Sequence, residues 1–154
     1  MPGALLVVLI AVLAFLYVRS TDQKVFDKTS KEATMALYDG KPATAESEWR
    51  TYLGRAFSKE HKYEAWQGIA LAQLNQKKYK EAISSYKNQE KYGQLDISAE
   101  SGIAVCAEQM NDKKTAVEYY KRVLSDLKKQ EDNPGRTMRI HDTEQRIQNL
   151  GGTL

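Results

Sequence analysis

Tyr79, Ala82, Ile83 and Tyr86 recur at i, i+3, i+4 and i+7. That spacing lays one apolar stripe along a helix and fits no strand. Trp66, Ile69, Ala70 and Leu74 make a second such stripe just upstream. Between the two lies only Asn75-Gln76-Lys77-Lys78, polar and short enough for a tight turn. The stretch from 63 to 96 therefore predicts an antiparallel helix hairpin, with Ala70 and Ala82 small where the axes approach. One hairpin cannot bury both of its faces, so it needs neighbours.

The sequence supplies them by repetition. Ile69-Ala70 recurs as Ile103-Ala104, Ala82-Ile83 as Ala116-Val117, and Tyr86 as Tyr120. In the other direction Ala70 matches Ala33, Ala82 matches Ala45, and Tyr86 matches Trp49. A hairpin repeating at this period is the signature of an α-solenoid.

On these residues the chain resembles the tetratricopeptide repeat family. Trp66 stands at the family's aromatic position, Ala70 at its small one, and Tyr79, Ala82, Ile83 and Tyr86 at its second-helix positions. Three repeats are expected, over residues 26–59, 63–96 and 97–130. Gln89 departs from the family's Ala, Lys113 from its aromatic, and Pro42 lies in the first turn. The resemblance implies an all-α fold of about three hairpins with a protein-binding groove along the first helices. Carried over residue by residue, the groove takes Ser30, Thr34, Leu37 and Tyr38 from the first repeat, and Gln67, Leu71, Leu74 and Asn75 from the second. Ser101, Val105, Glu108 and Gln109 come from the third. The chaperone-adaptor branch of the family grips C-terminal carboxylates with Lys, Arg and Asn at such places. Gln67, Leu71, Ser101 and Val105 do not form that clamp and suit an amphipathic or extended peptide better. A second reading stands beside this one, in which Leu71 and Val105 pack under another element such as the C-terminal helix.

Residues 1 to 18 carry no charged side chain. Residues 3 to 18 as a helix give about 24 Å, which Met1, Pro2 and a snorkelling Arg19 extend toward the ~30 Å hydrocarbon core. A cleaved secretory signal would want a basic residue before the apolar run and a small-x-small site after it; neither is present. A pilin-type start would want an early acidic residue, also absent. A core helix would need cover that repeats with polar outer faces do not offer. The reading is a single-span anchor over 1–19, carried by Leu5, Leu9, Leu13, Leu16 and Arg19. Lys and Arg slightly outnumber acids just after it, which places the rest on the cytosolic side.

Residues 20–28 form a juxtamembrane linker or prolong the membrane helix, and Thr29-x-x-Glu32 matches a capping box for a fresh helix. The repeat domain then runs from 29 to 150, with Ser58-Lys59-Glu60-His61-Lys62 as a connector. Trp49, in phase with Ala45 and Tyr52, is expected in the core. Asp112 is expected to cap the last repeat's second helix, and Asn133-Pro134 to open a final helix that covers the open end.

At 154 residues the chain has room for one ordinary domain. A net charge of +3 without a Lys/Arg stripe among aromatics gives no reason to expect nucleic acid. His61 and His141 lie far apart, and Cys106 sits on an apolar stripe, so neither a metal site nor a reactive thiol is expected. No phosphate loop or catalytic constellation stands out. The expectation is a non-catalytic, membrane-anchored scaffold that binds protein partners, with no cofactor and no small-molecule substrate. Its rival is a structural accessory subunit of a larger membrane complex, held through the apolar helix.

Overall fold

A computed structural model describes residues 2–154, with side chains from residue 6 onward. Met1 and the side chain of Leu5 lie outside that description. Among the described residues there are seven helices and no strand: α1 Pro2–Tyr38, α2 Pro42–Leu53, α3 Lys59–Asn75, α4 Tyr79–Gln89, α5 Ile97–Gln109, α6 Lys113–Lys129 and α7 Pro134–Asn149. Each packs on the next, and α1 and α3, like α3 and α5, also touch. The architecture is three hairpins stacked in series, with α7 set against α6 as the first half of a fourth.

The turns repeat as faithfully as the helices. Gly40, Lys77 and Asn111 all have left-handed backbones, with φ of 70°, 61° and 59°. They occupy the same place in successive hairpins, where the chain reverses between first and second helix. Glycine adopts this conformation freely, whereas Lys77 and Asn111 hold it against the usual steric cost. Side chains close the helix starts: Ser58 accepts from the His61 N–H, Asp96 from Ala99, Asp112 from Thr115 and Asn133 from Arg136. The expected caps at Asp112 and Asn133, with Pro134 opening α7, are therefore present.

Successive hairpins meet through an aromatic ring laid over a glycine. Trp49 of α2 lies on Gly68 of α3, and Tyr86 of α4 lies on Gly102 of α5. A Cβ at either glycine would overlap the ring. The interior divides accordingly. One cluster joins Phe26, Ala33, Ala45, Trp49 and Tyr52 to Ile69 of α3. The other joins Tyr86, Ile103, Tyr120, Leu124 and Ile147 further along.

Of the two expectations for residues 20–28, the structure has the second: they are not a separate linker but prolong the apolar helix, interior to α1, a single helix of 37 residues, about 55 Å long. Thr29 does not cap a fresh helix; it is buried in mid-helix. The reason is packing, since Asp22 and Phe26 are themselves buried against α2 and α3, and interrupting the helix there would expose them. The expected connector 58–62 is likewise the cap and first turn of α3. Trp49 is core, as its phase predicts.

Candidate partner-binding groove

The first helices of the repeats bring part of the predicted groove together. Ser30, Thr34 and Leu37 of α1 face Gln67, Gly68 and Leu71 of α3 across a cleft of about 190 Å³ floored by Trp49. Leu71 is 42% exposed and Leu37 half-buried, so apolar surface lines an open trough. Tyr38 is exposed at the end of α1 and is not part of the cleft wall. Leu74 is half-buried, and Asn75 turns its amide back onto the Leu71 carbonyl at 2.8 Å. Gln67 donates to the Asp96 carboxylate at 3.3 Å, tying α3 to the cap of α5.

The third-repeat residues occupy a different cleft. Ser101 and Val105 share about 420 Å³ with Tyr120, Met138 and Arg146, beneath α7. Val105 is half-buried and packs on the main cluster. Glu108 accepts from the Tyr120 hydroxyl at 2.6 Å and from Arg146 at 3.0 Å, while Gln109 is exposed. Leu71 and Val105 thus differ in setting: the first is open, and the second sits beside the terminal helix.

Three carboxylates join the helices, Asp22 and Glu46 buried and Glu108 half-buried, and none was evident from periodicity. Asp22 on α1 accepts from the Tyr52 hydroxyl at 2.7 Å, from His61 Nδ1 at 2.8 Å, and from the backbone N–H groups of Phe57 and Ser58. The ionised carboxylate offers only acceptors, which assigns the hydrogen to Nδ1 of His61. His61 also stacks flat on Phe26, 4.2 Å between centroids. Burial, and next the Asp22 carboxylate, push the Tyr52 phenol far above its ordinary pKa. Glu108 is the second junction, joining α5, α6 and α7; burial and then Glu108 raise Tyr120 in the same way. Cys106 is fully buried, and that burial pushes its thiol up to about 11, so it is a packing residue.

Glu46 on α2 is the third junction. It accepts from Arg50 at 2.8 Å, Gln73 at 3.0 Å, Gln76 at 2.8 Å and Lys78 at 3.2 Å. Gln73 in turn accepts from Ser85 of α4 at 2.7 Å, so one polar chain crosses three helices. Burial alone would raise the pKa of Glu46, but those four donors outweigh it and hold the carboxyl at about 2. A depressed folded pKa contributes stability above the ordinary value of about 4.5, and loses it as pH falls through about 2. Denaturant titrations from pH 5 to 2 should therefore show a loss of stability that Glu46→Gln reduces, by at most about 3 kcal/mol. Equal slopes in parent and variant would deny Glu46 this role.

The tetratricopeptide repeat family model matches residues 63–90 and 102–125, the second hairpin and most of the third. A solved TPR-like protein from Chlorobium tepidum superposes with a TM-score of 0.70. It is 18% identical, and the match covers 88% of this chain and 99% of that one. No curated protein sequence matches. The likeness extends the TPR-like fold beyond the two repeats that the family model detects. Repeats of this kind generally mediate protein–protein contacts.

Proposed function

We propose that the chain is a non-catalytic scaffold of the tetratricopeptide type, anchored by a single span, which holds a protein segment at a membrane surface. The observation that carries this reading is the open trough between α1 and α3, where Leu37 and Leu71 expose apolar surface beside the Gln67 amide. An amphipathic or extended peptide offers matching chemistry. The anchor draws support from α1, which is long and apolar enough to cross a membrane and whose Leu9, Leu13 and Leu16 are exposed. The helix continues unbroken from that apolar run into the first repeat. The modest basic excess beyond the run favours a cytosolic domain. The exposed apolar helix also favours a second reading, a permanent accessory subunit whose span is covered by other spans.

Leu71→Glu separates the two. The side chain points into the open trough, so the variant folds and stays with membranes. A docked segment would have to desolvate the new charge at several kcal/mol, and partner recovery in mild detergent should fall more than roughly tenfold. Undiminished recovery that is lost only when the apolar segment is replaced would establish the accessory subunit instead.

A further inference from the structure

We infer that the α2–α3 loop is a second membrane contact, with Phe57 seated in the lipid interface beside the span. This rests on the reading of α1 as an anchor. The Phe57 ring meets Phe15 edge-to-face, with centroids 5.9 Å apart, and each residue is 49% exposed. Phe15 lies within the uncharged run, four residues before Arg19 and so about 6 Å deeper along the helix axis. Its partner ring lies within 5.9 Å of it, near the boundary between headgroups and hydrocarbon where aromatic side chains settle.

The loop is fixed there. Asp22 accepts the N–H groups of both Phe57 and Ser58 at 3.3 Å, so the turn cannot swing outward while α1 stays packed. Two guanidinium-bearing residues flank the ring. Arg19 lines one cleft with Phe15 and Phe57, with Glu60 and Glu64 on its α3 side, and Arg55 lines the neighbouring one with Val18 and Phe57. Neither forms an ion pair among the described residues. An apolar ring between two unpaired guanidinium groups, level with the end of an apolar helix, matches a bilayer surface with its phosphates. The bilayer would then hold the domain at two points, fixing its tilt as well as its distance.

Depth measurement by spin label tests this. Full-length Phe57→Cys, Phe15→Cys and Tyr38→Cys are labelled with nitroxide and placed in vesicles of phosphatidylcholine with phosphatidylglycerol. Native Cys106 is fully buried and takes no label. Collision with oxygen and with a water-soluble nickel chelate then reports depth. The expected result is that positions 15 and 57 are open to oxygen and shielded from nickel, while position 38 is open to nickel. If 15 is immersed but 57 is as open to nickel as 38, the loop contact is wrong and the anchor stands. Shielding of 57 from both reagents would mean protein cover, which also overturns the contact. If 15 itself is open to nickel, the anchor reading fails and the loop contact with it.

Discussion

Gly102→Ala is expected to lower stability by roughly 1–3 kcal/mol, although alanine is the better helix former by about 1 kcal/mol. The added methyl would overlap the far end of the Tyr86 ring. That ring is almost wholly buried and has nowhere to retreat. Tyr86→Ala alone should cost roughly 3–5 kcal/mol through the cavity it opens. The double variant is the sharper measurement, because the new methyl points into the space the ring vacates. Its cost should fall short of the sum of the single costs by at least about 0.5 kcal/mol, the coupling expected of residues in contact. Additive losses in chemical denaturation would mean that ring and glycine do not meet.

This contact also marks where sequence reading stopped. The stripes through Ile69, Ala82, Ile103 and Ala116 follow from helical period alone, because burial of one face imposes it. Trp49, Tyr86 and Tyr120 stood out at matching places for the same reason. Their glycine partners did not, since a glycine leaves no mark in a hydrophobic pattern. Gly68 and Gly102 are 34 residues apart, and that spacing was the signal available. The polar junctions were hidden more deeply. Asp22 lies 30 residues from Tyr52 and 39 from His61, and hydrogen bonding across helices has no period to reveal it. A charged residue beyond an apolar run reads as solvated linker unless something distant buries it. In the groove, Ser30 and Thr34 face Gln67 and Leu71 because each pair holds one place on adjoining helices, 37 residues apart. Val105 lies beneath α7, whose placement the repeat period does not specify.

The junctions have a common design. Asp22, Glu46 and Glu108 each gather donors from successive helices, so a single acceptor sets the angle at which one element meets the next. In a solenoid, where each unit touches only its neighbours, such joints determine the shape of the whole. They also make each interface sensitive to the loss of one side chain, because a buried donor left without its acceptor carries the full cost of desolvation.

Asp22→Ala should therefore loosen the first repeat. It leaves the Tyr52 hydroxyl and the His61 ring N–H only each other, 2.9 Å apart, and strands two loop N–H groups, in a site where Tyr52 is completely buried. Breaking a buried, fully paired charge typically costs roughly 3–5 kcal/mol. The loss should be local, because among the described residues α5 to α7 share no contact with α1. Hydrogen exchange should show protection falling across residues 20–36 and 49–61, with residues 99–127 nearly unchanged. Asp22→Asn should fall between parent and alanine variant, since its amide oxygen still accepts from Tyr52 while its NH₂ opposes the remaining donors. Tyr52→Phe removes one donor and leaves the carboxylate its other three, so it should cost less than the alanine variant. An alanine variant that exchanges like the parent would mean that the packing of Phe26 against Trp49 and Tyr52, with ring centroids 5.8 and 5.6 Å away, holds α1 in place without the carboxylate.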